Sequence, residues 1–289
     1  MPAAAELREL VAEELTLAVD PRVTAVAAAI AAKHAPASRA VLFYGSCLRQ
    51  QQLEGLMLDF YLVVSDYRAA YPKRWLAAAN RVIPPNVFYF EHSGLAAKYA
   101  VLSEADFHRL NGPETSSVSV WARFAQSSRL VWAADDAARE RAIDAVSRAA
   151  PALLAAAGPR AGEEPLQLWR RAFALSYSAE LRAERAGRAA SVVDLEPERY
   201  RRFTAPALAA AASIRSSGSW AWRRVEGKAL SVLRLAKASF TFAGGAEYIA
   251  WKINRHAGTN IELKPWQRRW PLLAAISLLP RLLRSGAVR

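Results

Sequence analysis

The sequence has little of several things that would point to particular classes of protein. It contains one cysteine, Cys47, which excludes an internal disulfide framework and a zinc site made of several cysteines, so we expect a reducing compartment. Its four histidines show no metal-ligand spacing. The apolar run from Pro271 to Pro280 is shorter than the roughly 20 residues that a membrane span requires, and Arg281 follows it directly.

Acidic residues are scarce in the last part of the chain. Residues 201–289 contain 16 Lys and Arg but three acidic residues, whereas residues 1–200 contain 23 of each sign, so the last part carries the whole net charge of +13. Five of the nine tryptophans also lie there. A basic segment with interleaved Trp and Leu is typical of proteins that bind an anionic membrane surface or nucleic acid.

Within this part, residues 246–289 favour a membrane as the partner. The stretch "PWQRRWPLLAAISLLPRLLR" places Trp and Arg beside an apolar run. Nucleic acid is the weaker alternative, and a helix packed on the protein itself is a third. The first twenty residues carry five acidic side chains, which disfavours a secretory signal or a transit peptide. We therefore predict a cytoplasmic protein, peripheral on the inner face of the cell membrane.

Short runs of β-branched and aromatic residues between turn residues predict one sheet. The predicted strands are 40–44, 57–64, 86–90 and 97–102, with a further candidate at 129–133. Helices are predicted before, between and after these strands along the chain. They cover residues 3–16 and 21–34, the stretch between the second and third strands, and 135–156, 164–188, 196–214 and 222–240.

The turn after the first predicted strand is a candidate functional site. In "FYGSCLRQ", Gly45 and Ser46 follow the strand and Arg49 comes three residues later. A Gly-Ser turn lets backbone amides and a hydroxyl approach a triphosphate, and a cation can reach phosphate from the next helix. Asp59 in "MLDFYLVV" is then a candidate ligand for the divalent ion that neutralises pyrophosphate. This spacing alone is a weak signal.

Further motifs follow in order up to residue 245: "VFYF" and "KYAVLS", then "ALSYSAELR", then "LRLAKASFTFAGG". Together with the first two motifs they resemble the mitochondrial-type CTP:phosphatidate cytidylyltransferases, the translocator assembly and maintenance family, over roughly 70% of the chain. The chain departs from that family at several positions. Cys47 replaces the second glycine of the turn, Glu180 an Asp and Leu235 a Gln, and the Gln-Lys-Pro element is absent near residues 126–129.

The resemblance implies an α+β fold in two parts. A nucleotidyltransferase-like domain with a mixed sheet would occupy residues 1–134, and a helical domain that completes the CTP cleft would occupy 135–245. The segment 246–289 is not matched by the resemblance, and its composition predicts a basic, amphipathic, membrane-associating segment. The implied activity is cytidylyl transfer from CTP to phosphatidate, which gives CDP-diacylglycerol and pyrophosphate and uses Mg²⁺ or another divalent cation.

The resemblance also implies roles for individual residues. Catalysis would involve Asp59, Ser46 and Lys98, and the metal would be held by Asp59 and Glu180. Arg234 and Lys237 would add positive charge for the lipid phosphate or the triphosphate. The nucleotide would be bound by Gly45, Ser46, Arg49, Tyr99, Tyr177, Ser178 and Arg182. On the helix predicted at 164–188, the spacing of Tyr177 and Glu180 predicts a shared face, and so does that of Ser178 and Arg182.

Only one carboxylate lies where related enzymes usually show two. The positions two residues away from Asp59 are Met57 and Tyr61. A phosphate monoester is already anionic near pH 7, since its second pKa is about 6, so it needs no deprotonating metal. We therefore hypothesise that Asp59 with one Mg²⁺ suffices, supplemented by Glu180.

Two alternative functions stay open: a nucleotidyltransferase acting on another lipid or sugar phosphate, and a non-catalytic lipid-binding assembly factor. Cys47 is expected to be a small buried residue.

Overall fold

The computed structural model describes residues 2–50, 53, 55–181, 188–216, 218–241, 262, 264 and 265. The strands are β1 (Ser38–Tyr44), β2 (Met57–Val64), β3 (Asn86–His92), β4 (Leu95–Ser103) and β5 (Ser128–Ala133). All five strands predicted from the sequence are present, with ends within two residues of the predicted ones. They form one mixed sheet in the order β3-β4-β2-β1-β5, in which β2 and β4 are parallel and the other neighbours antiparallel.

The helices surround this sheet. The first seven are α1 (Pro2–Thr16), α2 (Pro21–Lys33), α3 (Ser46–Gln50), α4 (Tyr67–Ala70), α5 (Arg74–Val82), α6 (Glu104–Leu110) and α7 (Trp121–Phe124). The remainder are α8 (Asp136–Ser147), α9 (Ala149–Ala157), α10 (Pro165–Ser178), α11 (Arg188–Leu195), α12 (Pro197–Ala211) and α13 (Trp220–Thr241). The expected combination of a mixed sheet with helices is therefore confirmed. Residues 246–289 lie outside the described residues, except for 262, 264 and 265.

Local sequence explains several of the helix starts. Asp20 accepts a hydrogen bond from the Arg22 amide before α2, and Asp135 accepts one from the Ala138 amide before α8. Such side chains satisfy backbone donors that have no partner inside the helix. α2 and α10 also have proline in the first turn, where its missing N–H costs nothing.

The two faces of the sheet are packed against different layers, because successive side chains of a strand point to opposite sides. We name them the Asp59 face and the His34 face. The Asp59 face includes Leu42, Tyr61 and Ala100 and shares one core with α1 and α6–α12, so this core crosses residue 134. The His34 face packs chiefly against α2, α4 and α5 through a core that includes Phe43, Phe60, Tyr99 and Val101.

Two helices predicted from the sequence have different bounds in the structure. The stretch 135–156 forms two helices, α8 and α9, because the ring of Pro151 is incompatible with a continuous helical bond to the carbonyl of Ser147. The helix predicted at 164–188 ends at Ser178, so the helical spacing expected for Tyr177 and Glu180 does not apply. The matching expectation for Arg182 lies outside the described residues.

Among the described residues, no single helix is both long and apolar enough to cross a bilayer. The two helical segments Ala4–Thr16 and Pro21–Lys33, counted together, have the length and composition of a membrane span, but the pair is bent by 100°. In the structure α1 buries Leu7, Val11 and Leu15 in one core, and α2 buries Val23 and Ile30 in the other.

Candidate active site

Gly45 and Asp59 are in close contact at the end of β1. Tyr44, the last residue of β1, is paired with Asp59 on β2, and Gly45 follows it with a φ of +95°. A Cβ atom at residue 45 would lie 2.9 Å from Asp59 Oδ2. Both the positive φ and the lack of space therefore require glycine. The main chain passes directly beside the carboxylate here, and α3 begins at Ser46.

Lys98 forms an ion pair with Asp59 across β2 and β4. The parallel register places the two residues opposite each other, and Lys98 Nζ lies 3.0 Å from Asp59 Oδ1. Their side chains are 27% and 18% exposed, so a ligand can reach the pair while solvent screens it only partly. Adjacent strands thus hold an acid and a base beside the glycine turn.

Two tyrosines flank this ion pair on the Asp59 face. The rings of Tyr44 and Tyr61 have centroids 5.3 Å apart. Burial raises the pKa of Tyr44, and the Asp59 carboxylate adds to this effect. Burial also raises the pKa of Tyr61, although the nearby guanidinium groups of Arg123 and Arg234 oppose the change. Both phenols are therefore protonated at neutral pH and do not act as bases.

Arg123 adds a cation to the Asp59 face, and it was not predicted from the sequence. It lies on α7, and its Nη1 atom is 3.5 Å from Glu180 Oε1, just beyond the end of α10. Burial alone would lower the pKa of Arg123, but Glu180 and Tyr61, with a smaller effect from Asp59, raise it well above its usual value. The surrounding sequence, "SVSVWARF", contains no motif that marks this arginine, because its partners are brought to it only by the fold.

The cations of α13 contact the turn before β3. Arg234 Nε donates to the Pro84 carbonyl at 2.8 Å, and Lys237 Nζ donates to the carbonyls of Ile83 and Pro85. Burial lowers the pKa of Arg234, while Tyr61 and Glu180 oppose this. Burial and the neighbouring Arg234 lower the pKa of Lys237 to about 7. Arg234 thus borders the site. The Lys237 amine is instead bonded to backbone carbonyls, so it is not directed at a lipid phosphate, and this corrects the expectation from the sequence.

The same helix also contacts the segment that carries Glu180. A Cβ atom on Gly227 would lie 2.2 Å from the Ala179 carbonyl oxygen, so only glycine permits this approach. The Leu181 amide donates to Ser231 Oγ at 3.3 Å. These contacts on both sides of Glu180 hold its carboxylate, which is 7% exposed, against Arg123.

The structure corrects the expectation for Tyr99. Although it follows Lys98 directly, its side chain lies on the His34 face and is 1% exposed. Its hydroxyl donates to His34 Nε2 at 3.0 Å, while His34 Nδ1 donates to the Ala70 carbonyl. Tyr99 therefore packs in the core, and a nucleotide at Asp59 cannot reach its side chain.

The residues of the turn take different places. Ser46 is partly exposed, whereas Cys47 is buried and its Sγ donates to the Met57 carbonyl at 3.4 Å. Burial and Asp59 raise the pKa of Cys47 to about 11, so the thiol stays protonated and does not act as a nucleophile. Arg49 donates to Gln126 Oε1 at 3.0 Å, and Gln126 is itself anchored on the Ala122 carbonyl.

The motif at the end of α10 is only partly brought to the site. Tyr177 is half-buried against the core of the Asp59 face, and the exposed Ser178 bonds back to the Leu175 carbonyl. Arg182 lies outside the described residues. Of this motif, Glu180 is the residue that reaches Arg123 and the neighbourhood of Tyr61 and Arg234.

The donor set suits a magnesium ion that arrives with phosphate groups. Across the part of the chain that the structure describes, no group of three or more His, Cys, Asp or Glu side chains could hold a metal. Mg²⁺ often uses one or two carboxylates and takes its other ligands from water and substrate phosphates. Asp59 offers one carboxylate beside the glycine turn, and the buried carboxylate of Glu180 lies near the same face. Asp59 is therefore a candidate ligand for such an ion, and Glu180 stays a predicted one.

Comparisons of the sequence with models of protein families and with curated proteins find no match.

Proposed function

We propose that the chain is a nucleotidyltransferase that transfers the cytidylyl group of CTP to phosphatidate, forming CDP-diacylglycerol and pyrophosphate at a membrane surface. The observation that carries the proposal is the contact of the Gly45 turn with Asp59, to which Lys98 is paired from the neighbouring strand. The choice of CTP and phosphatidate comes from the resemblance of "FYGSCLRQ" and "MLDFYLVV" to cytidylyltransferases.

In the proposed reaction, a phosphate oxygen of phosphatidate attacks the α-phosphorus of CTP. A new P–O bond forms, and the bond from the α-phosphorus to the bridging oxygen breaks, with its electron pair leaving on pyrophosphate. The attacking phosphate is already anionic, since its second pKa is about 6. No protein group has to remove a proton, which agrees with a protonated tyrosine, Tyr61, at one of the positions where a second acid is expected.

Catalysis of this kind consists mainly of positioning and neutralisation of charge. Mg²⁺, when bound at Asp59, would supply charge neutralisation at the triphosphate. Lys98 then exchanges its contact with Asp59 for phosphate oxygens. Arg123 and Arg234, which both lie near Tyr61 and Glu180, neutralise the charge on the pyrophosphate that leaves.

The test is incubation of the full chain with CTP, Mg²⁺ and phosphatidate in detergent, with CDP-diacylglycerol measured by mass spectrometry. The other nucleoside triphosphates and a sugar phosphate are assayed in parallel. CDP-diacylglycerol formed from CTP supports the proposal. A product only with another acceptor would instead identify a nucleotidyltransferase of different specificity. Lipid binding without turnover under any divalent cation would identify a non-catalytic lipid-binding factor.

A further inference from the structure

Three of the five cations of helix α13 lie on its inner side, whereas exposed apolar side chains lie on its outer side together with Arg224 and Lys228. Arg223 is 2% exposed and donates to the carbonyls of Thr115 and Ser116, while Arg234 and Lys237 bind the carbonyls of the turn before β3. A helix on the surface of a soluble domain usually has its apolar side chains facing the core and its charged side chains facing solvent. Five side chains on the outer side are 48% to 63% exposed and form what we call the outer face of α13: Trp222, Val225, Val232, Leu233 and Leu235.

Exposed apolar residues continue onto the segments that α13 contacts. Val82 is 75% exposed and directly precedes Ile83, whose carbonyl accepts a hydrogen bond from Lys237. Trp75, seven residues earlier on α5 and on the same side of that helix, is also exposed. Of the ten large hydrophobic side chains that are exposed in the described part of the chain, seven therefore lie on α13 or α5. Such clustering marks an interaction surface.

The charges around this surface have one sign. Exposed basic residues on and beside α5 and on α13 are Lys73, Arg74, Arg81, Arg224 and Lys228. Residues 71–85 contain no acid, and the acid in residues 220–241 is Glu226, whose Oε2 atom is buried. An apolar surface bordered by cations is complementary to a bilayer, where the apolar side chains enter the head-group region and the cations meet anionic lipids.

We propose that the outer face of α13, together with the exposed side of α5, docks the protein on an anionic bilayer. Five of the seven exposed apolar side chains on this surface are aliphatic, and aliphatic side chains are poor partners for nucleic acid, which binds through cations and stacking aromatic rings. Two copies of the chain facing each other would bring their cations together, which opposes self-association. This docking surface consists of residues of α5 and α13, and docking through it does not depend on the nucleotide chemistry.

The test measures binding of the full chain to vesicles of phosphatidylcholine, alone or mixed with phosphatidylglycerol, without nucleotide. We expect the double variant Val225→Gln/Val232→Gln to bind mixed vesicles about tenfold more weakly, since two apolar side chains no longer enter the bilayer. The matched control is Leu17→Gln/Leu195→Gln, which removes two equally exposed apolar side chains elsewhere and leaves binding unchanged. Arg224→Gln/Lys228→Gln reduces the preference for the anionic vesicles.

Thermal melting curves check that the variants fold, which is expected because the substituted side chains are exposed. Equal vesicle binding by wild type and Val225→Gln/Val232→Gln overturns the proposal. A change in oligomeric state in light scattering, with unchanged vesicle binding, also overturns it and identifies the outer face as a contact between copies. Asp59→Asn separates this proposal from the catalytic one, because it should bind vesicles like wild type whether or not the protein turns over CTP.

Discussion

The two faces of the sheet differ in what they carry, although the same strands form them. On β4, Lys98 is paired with Asp59 on one face, and Tyr99 bonds to His34 on the other. The Asp59 face packs on one hydrophobic core and also carries charged groups, of which Asp59 and Lys98 are partly exposed and Glu180 is buried. The His34 face is filled by aromatic and aliphatic side chains around one buried histidine.

The comparison shows how one strand can serve stability and chemistry at once. Phe60 is 1% exposed and contributes burial of apolar surface, whereas its neighbour Asp59 keeps a carboxylate accessible. Substitutions on the His34 face should therefore change stability and leave activity intact. Substitutions on the Asp59 face should change activity first, and the predictions below test this division.

Among the variants that keep every charged group, the largest effect is expected for Gly45→Ala. A methyl group at this position meets Asp59 Oδ2 at 2.9 Å, so the turn or the carboxylate has to move. A displacement of about 1 Å at a reacting centre can reduce the rate on the order of 100-fold, and we expect a loss of this size in nucleotidyl transfer. Gly94→Ala is the control, because Gly94 also has positive φ but has no atom within 4 Å of the added methyl group. Equal loss in both variants would attribute the effect to backbone strain.

Arg123→Gln should reduce stability as well as activity. It leaves the buried carboxylate of Glu180 without this cation, which we expect to lower the free energy of unfolding by about 2 kcal/mol in urea titrations. Adding Glu180→Gln should restore part of that loss. The exposed pair Arg170 and Asp194 gives the control, since Arg170→Gln should cost less than about 1 kcal/mol. A double variant no more stable than Arg123→Gln would argue against a direct coupling.

The sequence predicted the strands well but only part of the site. The strands carry local signals, because runs such as "MLDFYLVV" are rich in residues that favour sheets. Gly45, Asp59 and Lys98 were identified because they lie in motifs. Tyr99 was misassigned because the motif does not show which face of the strand each residue occupies. Arg123 was missed because its partner Glu180 lies on a distant segment.

A smaller effect is expected for Tyr99→Phe. It removes the hydrogen bond to His34 Nε2 inside the core, so we expect a loss of about 1 kcal/mol in the free energy of unfolding and no change in nucleotidyl transfer. Tyr61→Phe on the Asp59 face is the matched variant and should lower the transfer rate several-fold. If Tyr99→Phe reduces activity more than Tyr61→Phe, the division between the faces is wrong.

The smallest effect concerns the dependence of stability on pH. Burial lowers the pKa of His34 below its usual value of 6.5, so the folded protein holds this ring neutral while the unfolded chain binds a proton more readily. The stability that His34 contributes is therefore present above pH 6.5 and is lost as the pH falls below it. Urea titrations at about pH 8 and about pH 5.5 should show a larger loss for wild type than for His34→Gln. Equal losses would contradict this assignment.

The most direct test of the Asp59 face is the turnover of CTP with phosphatidate and Mg²⁺ by Asp59→Asn, compared with wild type and Tyr99→Phe. Asparagine has nearly the same shape but no charge, so it removes the proposed metal ligand and the partner of Lys98 together. We predict that Asp59→Asn folds and forms almost no CDP-diacylglycerol, while Tyr99→Phe matches wild type. Near-normal turnover by Asp59→Asn would contradict the account.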